Sequence, residues 1–435
     1  MRFADLAETS EAVRAAPGRK AKAEAIAATL RLLPGEEVAA GTAFLAGDLL
    51  QRQIGVGWAS LREVPEPAGS ATLTVADVAA TFERIGALGG PGSVAARRDE
   101  LAALFAAATT DEQRLLRGLL AGDLRQGAQA GLMTDAVAKA AAVPVAAVRR
   151  ALMLSGDLPA TAALALGEGE EGLAAVRLEV GRPVQPMLAG TAKSVDEALE
   201  KACGGAAPAG QDPSRAAHEV AVEYKLDGAR IQVHRDGDDV TIASRSLDDL
   251  TARLPAVVAA VRALPADRVV LDGEAIALRP DGRPELFQVT ASRIASGAPG
   301  VTPVFFDILH LDGEDLLDAP LAQRAEALAR AVPDAALRVP RIVTGDVEAA
   351  RAHFDAALAA GHEGVVVKAL DAPYAAGRRG ASWLKVKPRH TLDLVVLAVE
   401  WGSGRRQGWL SNLHLGARAV DGDGFVMLGK TFKGL

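Results

Sequence analysis

The sequence predicts a multidomain protein with an all-α N-terminal part, an α+β middle part built mainly on antiparallel sheet, and a partial β-barrel at the C-terminal end. Its 435 residues exceed one compact domain, since domains average roughly 150 residues. Apolar residues recur at helical spacing up to about residue 190, and the period switches to that of strands from about residue 218. We therefore expect segments at 1–190, 191–217, 218–388 and 389–435, the second of which is a linker.

The N-terminal part has the pattern of amphipathic helices. Leu101, Leu104 and Phe105 recur on one face of a helix. Thr110 and Gln113 form the pattern of a capping box, which marks the start of the next helix. These signals predict a domain of several helices.

The middle part is introduced by a segment at 202–214 that is rich in glycine, alanine and proline and lacks periodicity, which indicates a mobile linker. Five strands are then predicted, at 219–224, 229–234, 240–244, 269–278 and 303–309. Asp236-Gly237 and Asp281-Gly282 are typical of tight hairpin turns. Helical patterns separate some of the strands, near 248–263, 320–331 and 346–360.

The C-terminal part begins at Leu392 and has the pattern of the opening strands of a small β-barrel. Two or three strands cannot close a barrel and would leave an unpaired edge. We therefore expect the natural protein to continue beyond Leu435.

The composition narrows the possible classes of protein. Hydrophobic residues make up 49% of the chain and charged residues 24%, which is typical of globular proteins. The single cysteine, Cys203, excludes an internal disulfide framework and a zinc site of clustered thiolates, and it favours a reducing, cytoplasmic compartment. No apolar run approaches the roughly 20 residues of a membrane span, so we expect no membrane association.

The distribution of charge keeps a polyanionic partner in consideration. The formal net charge is −7, but residues 378–435 carry +6, which leaves −13 for the rest. Nucleic acid responds to such local basic patches rather than to the total charge. The chain also contains 37 arginines and only 11 lysines. Each lysine is therefore worth individual attention, because an amine can act as a nucleophile and a guanidinium in practice cannot.

Lys225 is the candidate nucleophile. It follows a predicted strand and precedes Asp227-Gly228, so its amine would project from a rigid scaffold beside a close turn. A protonated amine does not attack, so the site needs neighbouring cations or a metal to favour the neutral form. The candidate cations are Arg230, Arg245, Lys368, Lys385 and Lys387. An ordinary salt-bridged lysine at a strand end is the alternative interpretation.

Five further motifs follow Lys-Leu-Asp-Gly-Ala-Arg at 225–230 in a fixed order. They are Ser-Arg at 244–245, Asp-Gly-Glu at 272–274, Phe-Phe-Asp-Ile at 305–308, Glu-Gly-Val-Val-Val-Lys at 363–368 and Trp-Leu-Lys-Val-Lys at 383–387. In this order the chain resembles the covalent nucleotidyltransferase superfamily, and specifically ATP-dependent DNA ligases. Six ordered motifs are far more specific than one short pattern.

The resemblance covers nearly the whole chain. It implies a helical DNA-binding domain at 1–190, an adenylation domain at 218–388 and an incomplete OB-fold at 389–435. It further implies that Lys225 attacks the α-phosphate of ATP, forms a lysine–AMP phosphoramidate and releases pyrophosphate. Such a displacement depends on positioning and charge neutralisation, so basic side chains and Mg²⁺ or Mn²⁺ are expected.

The resemblance also assigns roles to other residues. Glu363 matches the metal-site glutamate of the family, and Glu274 matches the residue that binds the ribose hydroxyls and is a second candidate metal ligand. Phe306 matches the aromatic residue that stacks on adenine. Glu223 matches the residue near the exocyclic amine of adenine.

Two further sets of residues would contact phosphates. Lys385 and Lys387 alternate along a predicted strand, so both would face the phosphates of the nucleotide. Arg230 and Arg245 match residues that contact the nucleotide or the phosphate at a nick in duplex DNA. The helical domain would grip the duplex backbone from the other side. The candidates for that contact are Arg125, Arg19, Lys20 and Lys22.

Alternatives to a monomeric, nick-sealing DNA ligase remain at this stage. RNA ligases and other covalent nucleotidyltransferases share the lysine chemistry, whereas NAD-dependent ligases carry a four-cysteine zinc module that one cysteine cannot build. A non-catalytic DNA-binding fragment is the alternative from another class, since the last basic motif of the family's OB-fold is missing. For the same reason we hypothesise poor self-adenylation of Lys225. The Arg and Ala bias is typical of a GC-rich bacterium, which favours a cytoplasmic, nucleoid-associated enzyme in replication, recombination or repair.

Overall fold

The structure is a computed structural model that describes residues 1–51, 54–56, 61, 64–124, 126–128, 130–203, 219–388 and 391–431. Residues Met1–Val386 form one compact unit, and a second unit begins at Lys387. Over the described ranges, no helix combines the length and apolarity needed to cross a membrane.

The N-terminal part is helical, as the sequence predicts. Its α-helices are α1 Phe3–Ala15, α2 Arg19–Leu30, α3 Val38–Ala46, α4 Val75–Ala87, α5 Ser93–Ala107, α6 Thr110–Ala121, α7 Ala130–Ala141, α8 Val145–Ser155 and α9 Leu158–Ala175. They share one apolar core, in which the rings of Phe3, Phe44 and Phe82 pack edge to face with centroids 6.0 and 5.9 Å apart. Such edge-to-face contacts add to the free energy that burial of the rings supplies.

The start of α6 differs by one residue from the prediction. Thr109 is the N-cap, and its backbone N–H and hydroxyl both donate to the Glu112 carboxylate at 2.8 Å. The predicted partner Gln113 is buried instead, and its amide donates to the carbonyl of Phe105 at 2.8 Å. Two overlapping tetrapeptides match the capping pattern, and the hydrogen bonds of Gln113 to the carbonyls of Pro65 and Phe105 leave the earlier one to cap the helix.

The predicted linker at 191–217 is wrong over its first residues. Strand β1, Leu188–Thr191, pairs in parallel with β10, Arg379–Val386, and helix α10, Val195–Cys203, follows it. The hydroxyl of Ser194 accepts a hydrogen bond from the backbone N–H of Glu197 at 3.2 Å, which caps α10. Ser-Val-Asp-Glu is a capping pattern, and it was the available signal for this helix. The rest of the predicted linker lies outside the described residues.

The α+β part contains two five-stranded sheets. The remaining strands are β2 Val220–Tyr224, β3 Ala229–Asp236, β4 Asp239–Ser244, β5 Arg268–Ala277, β6 Val301–Leu311, β7 Glu314–Asp315, β8 Arg341–Thr344 and β9 Val365–Ala369. The helices here are α11 Pro255–Arg262, α12 Phe287–Ser296, α13 Leu321–Ala331 and α14 Val347–Ala359. The strand orders are β1-β10-β9-β2-β8 and β4-β3-β5-β6-β7. The pairs other than β1–β10 are antiparallel, which confirms the predicted fold class.

The second unit contains an antiparallel sheet of three strands. These are β11 Val395–Trp401, β12 Leu410–Arg418 and β13 Phe425–Thr431. Glu400 accepts hydrogen bonds from Asn412 at 2.8 Å and from Lys430, and it lies 2.7 Å from the ring of His414. Asn412, then Lys430 and His414, lower the pKa of Glu400 to about 2. One carboxylate thus connects all three strands of this sheet.

His234 anchors the chain that leads into the two five-stranded sheets. Its Nδ1 accepts from the backbone N–H of Gly181 at 3.0 Å, and its Nε2 lies 3.0 Å from Oε1 of Gln232. Gln232 in turn accepts from the backbone N–H of Val184 at 2.8 Å. Burial, and then the neighbouring His310, lower the pKa of His234 to about 4.

The stability of the protein should therefore depend on the titration of His234. Between pH 6.5 and pH 4, His234 is protonated in the unfolded state and mostly neutral in the folded state. The free energy of unfolding should therefore fall as the pH falls. The slope is at most about 1.4 kcal/mol per pH unit for one proton. Urea unfolding at pH 7 and pH 4.5 should show a smaller loss for His234→Gln than for the wild type. An identical loss in both proteins would rule out His234 as the group responsible.

Candidate active site

A cleft between the two five-stranded sheets brings together side chains from both. The predicted site residues that line it are Glu223, Lys225, Arg230, Arg245, Glu274, Phe306, Lys368 and Lys385. They come from strands β2, β3, β5, β6, β9 and β10 and from the segments that follow β2 and β4. The fold thus brings motifs that are far apart in the chain together around one cavity.

Lys225 directly follows β2 and is tied to the segment before β9. Its backbone N–H donates to the carbonyl of Gly364 at 2.8 Å, and its carbonyl accepts from the N–H of Glu363 at 3.1 Å. Its amine forms an ion pair with the Glu363 carboxylate, and both side chains are about one quarter exposed or less. Gly364 has φ +134°, and a Cβ atom there would lie 2.2 Å from the carbonyl oxygen of Val386. Only glycine allows this approach, which positions Glu363 beside Lys225.

Glu223 is buried between two cations. Its Oε1 accepts from Nε of Arg341 at 2.7 Å, and its Oε2 lies 2.6 Å from Nζ of Lys368. Burial lowers the pKa of Lys368, and the charge of Glu223 opposes that shift. Because both partners are cations, Glu223 acts only as an acceptor toward the cleft.

Phe306 forms part of a wall of aromatic and cationic side chains. The guanidinium carbon of Arg230 lies 4.6 Å from its ring centroid, and Nζ of Lys368 lies at the same distance. Trp383 packs edge-on against it with centroids 6.0 Å apart. These contacts hold the Phe306 ring in one orientation.

Arg230 belongs to a closed ring of hydrogen bonds. Its guanidinium donates to both oxygens of the fully buried Asp272 carboxylate, at 2.5 and 2.6 Å. The Tyr374 hydroxyl also donates to Asp272 at 2.5 Å and accepts from the backbone N–H of Met187 at 2.9 Å. Arg230 closes the ring by donating to the carbonyl of Met187 at 3.2 Å. Burial alone would lower the pKa of Arg230, but Asp272 outweighs it and the pKa rises.

Glu274 is a largely buried carboxyl group that lines the cleft. Burial raises its pKa to about 8, although Arg230 acts in the opposite direction. Its Oε2 is buried and has no hydrogen-bond partner within the described part of the chain. This buried oxygen of Glu274 can form a hydrogen bond with a hydroxyl group of a ligand. While it is protonated, the carboxyl group is a poor metal ligand.

The two lysines of the last motif do not share a strand. Lys385 lies in β10 and lines the cleft. The strand ends at Val386, so the prediction that Lys387 alternates with Lys385 along it is wrong. Pro388 explains the end of the strand, because proline has no N–H to donate to a sheet. Lys387 is exposed and is the first residue of the second unit.

Three of the four candidate DNA-contacting residues lie near the start of α2. Arg19 is exposed and donates to Asp135 at 2.9 and 2.7 Å, and Lys22 donates to the carbonyl of Gln126 at 2.7 Å. Lys20 is exposed. The fourth candidate, Arg125, lies outside the described residues. Arg19 would therefore have to share its charge with Asp135 in any contact with a phosphate.

Some side chains of the site were not predicted from the sequence. Asp272 begins the Asp-Gly-Glu motif, so its position was a usable signal. Tyr374, Arg379 and Arg341 lie outside the motifs, although Arg379 lines the cleft. Arg341 lies opposite Glu223 because β8 pairs with β2, and no local pattern predicts that pairing.

Comparison with known proteins places this fold and cleft in a family. The family model described as ATP dependent DNA ligase domain matches residues 186–387, and the model described as DNA ligase N terminus matches residues 62–138. A probable DNA ligase of Mycolicibacterium gilvum is 57% identical over 442 residues, which cover all of this chain and 84% of the relative. A probable DNA ligase of a Nocardioides species is 56% identical and covers all of this chain and 83% of the relative. The chain belongs to the ATP-dependent DNA ligase family.

A solved structure agrees with the fold over nearly the same length. The structure called Pmar-Lig_PreS3 covers 98% of this chain and 87% of its own, with a TM-score of 0.51 at 18% sequence identity. At this identity the likeness concerns the fold alone. Together with the family assignment, it confirms the resemblance inferred from the ordered motifs and does not favour an RNA ligase or a non-catalytic fragment.

Proposed function

We propose that this protein seals nicks in duplex DNA with ATP, through a lysine–AMP intermediate on Lys225 and an adenylated 5′-phosphate. The observation that carries the proposal is the position of the Lys225 amine, which lines a cleft together with the basic side chains of Arg245, Arg379 and Lys385. A nucleophilic amine among cations suits attack on a polyphosphate, because the cations neutralise the charge on the transferred group.

In the first step the neutral amine of Lys225 attacks, a bond forms between Nζ and the α-phosphorus of ATP, the bond to the leaving pyrophosphate breaks, and Nζ releases one proton to solvent. Glu363 accepts a hydrogen bond from the Lys225 amine and orients it for attack. An oxygen of the 5′-phosphate at the nick then attacks the phosphorus of the lysine-bound AMP, the bond to Nζ breaks, and the Lys225 amine is regenerated. Finally, the 3′-hydroxyl attacks the 5′-phosphorus and loses its proton, the bond to AMP breaks, and the strand is joined.

The cleft offers a matching partner for each part of ATP. Phe306 is the aromatic surface for adenine, and the acceptor-only Glu223 suits the exocyclic amine. One buried oxygen of Glu274 has no hydrogen-bond partner among the described residues, and a ribose hydroxyl would satisfy it. Lys385 is the basic side chain that we assign to the phosphates, with Lys387 as a further candidate.

Of the two predicted ligands for a divalent cation, Mg²⁺ or Mn²⁺, Glu363 is better suited than Glu274. Glu363 has a partly exposed carboxylate, which is a hard oxygen donor, whereas the raised pKa of Glu274 disfavours its ionised form. No cluster of three or more candidate ligands occurs among the residues that the structure describes. Mg²⁺ commonly binds through one or two carboxylates plus substrate phosphates, and when bound it would neutralise phosphate charge.

The helical part would contact the DNA backbone. Arg19, Lys20 and Lys22 are close together at the start of α2 and present basic groups on one surface segment. Contacts of this kind depend on phosphate charge and carry no sequence information. We therefore propose that they add affinity for duplex DNA without sequence preference.

Sealing of a pre-adenylated nick tests the proposed function directly. With Mg²⁺ and no ATP, the protein should join a nicked DNA duplex whose 5′-phosphate already carries AMP. An otherwise identical RNA duplex is the comparison substrate, and its joining should be much slower. The proposal fails if the protein binds the DNA nick without joining it, or if it joins only the RNA nick.

A further inference from the structure

Arg341 contacts both residues that the proposed function assigns to the base, although it does not line the cleft itself. Its Nε donates to Oε1 of Glu223 at 2.7 Å, and its Nη2 lies 2.5 Å from the same oxygen. The same Nη2 donates to the backbone carbonyl of Phe306 at 2.9 Å. Glu223 belongs to β2 of one sheet and Phe306 to β6 of the other. One guanidinium therefore connects the two sheets immediately behind the cleft.

The backbone places Arg341 in this position. Just before β8, the N–H of Val339 donates to the carbonyl of Phe305 at 2.9 Å, and the carbonyl of Pro340 accepts from the N–H of Tyr224 at 3.1 Å. Arg341 then pairs directly with Glu223 across β8 and β2. The chain is thus hydrogen-bonded to both sheets at the point where Arg341 begins.

The charges around Arg341 leave it little freedom. Its side chain is 16% exposed and that of Glu223 is 2% exposed. Burial would lower the pKa of Arg341, but the attraction of Glu223 raises it. Two nitrogens of Arg341 hold one carboxylate oxygen of Glu223, and Lys368 holds the other oxygen. The buried carboxylate therefore keeps one orientation, which a single flexible lysine would not impose.

We propose that Arg341 is a positioning residue for base recognition, which holds the Glu223 carboxylate and the Phe306 backbone in one arrangement and so sets a preference for purines with an amino group at position 6. The inference rests on the proposed function, in which Glu223 and Phe306 receive adenine. A carboxylate that can only accept hydrogen bonds favours a purine that carries a hydrogen-bond donor at position 6. A purine without the amino group loses that hydrogen bond whether or not Arg341 is present.

Equilibrium binding of two monophosphates tests this role apart from catalysis. AMP and purine riboside 5′-monophosphate differ only in the 6-amino group, and neither carries the pyrophosphate leaving group needed for reaction with Lys225. Arg341→Met should weaken AMP binding by roughly tenfold, as expected for the loss of about one well-placed hydrogen bond. Binding of the purine analogue should change by less than about twofold, because it lacks the hydrogen bond to Glu223 and because strand β6 still holds the Phe306 backbone. Calorimetric titration measures both dissociation constants.

A matched control separates positioning from general damage. Arg235 is also buried in the α+β part, donates to the carbonyls of Gly237, Val261 and Leu264, and does not line the cleft. Arg235→Met should leave the ratio of the two affinities unchanged. Arg341→Lys provides a single amine that cannot make all the contacts of the guanidinium, so the ratio of the two affinities should be intermediate. This variant also serves as the test if Arg341→Met does not fold.

The outcomes distinguish this inference from the proposed function. Equal weakening of both ligands by Arg341→Met, or no change in either, overturns the positioning role. If Glu223→Ala also leaves the ratio unchanged, the assignment of Glu223 to the base fails as well. If Glu223→Ala lowers the ratio while both Arg341 variants retain it, only the inference about Arg341 fails.

Discussion

Replacement of Lys225 by arginine should abolish the transfer of AMP from ATP to the protein. Arginine keeps the positive charge and can still pair with Glu363, but a guanidinium is not a nucleophile at neutral pH. Loss of a covalent nucleophile typically costs at least about 10⁴-fold in rate. The measurement is radiolabel retained by the denatured protein after incubation with ATP labelled in its α-phosphate.

A surface lysine provides the control for this substitution. Lys201 lies on α10, pairs with Glu197 at 2.6 Å, and does not line the cleft. Lys201→Arg should be labelled at the wild-type rate. Lys225→Arg should still join a pre-adenylated nick, because that step does not use the amine, and this activity shows that the variant is folded. Labelling of Lys225→Arg at the wild-type rate would place the nucleophile elsewhere.

Replacement of Arg230 by alanine should cause the second large loss, in the joining of a pre-adenylated nick. The substitution removes the two hydrogen bonds to Asp272 and the cation that covers the Phe306 ring. Breaking a buried ion pair from one side typically costs about 3–5 kcal/mol. When that cost falls on the joining step, the rate drops by roughly 10²- to 10⁴-fold. Single-turnover joining with Mg²⁺ and without ATP measures it.

A double variant distinguishes a role in the reaction from a role in folding. Arg230→Ala leaves Asp272 as a buried, unpaired charge, whereas Arg230→Ala combined with Asp272→Asn removes that charge and keeps an acceptor for the Tyr374 hydroxyl. Thermal unfolding should show that the double variant regains stability. Its joining rate should remain low, because the guanidinium is still absent. Recovery of the joining rate together with stability would mean that Arg230 serves the fold alone.

The chemistry of the site was largely visible in the sequence. The reactive residues belong to short motifs whose order is specific. The fold places four of them in one cleft, namely Lys225, Glu274, Phe306 and Lys385, and pairs Glu363 with Lys225. The strands that carry them also follow from local periodicity, since alternation of apolar residues requires only neighbouring positions.

Elements that depend on distant partners were less predictable. Strand β1 pairs with β10, which lies nearly two hundred residues later in the chain, and its four residues have no periodicity to detect. The start of α6 was misplaced by one residue, because the choice between two capping patterns depends on the bonds of Gln113 to the carbonyls of Pro65 and Phe105. Propensity leaves such choices open until tertiary contacts settle them.

The sequence by itself determined which reactive groups this protein has, in which order they occur, and which elements carry them. Tertiary structure alone decided how those groups are charged and held. Glu223 is confined by Arg341 and Lys368, Arg230 is paired with Asp272, and burial raises the pKa of Glu274 to about 8. The physical reason is that periodicity and motif chemistry are local, whereas ion pairing and desolvation depend on residues that meet only when the two sheets assemble.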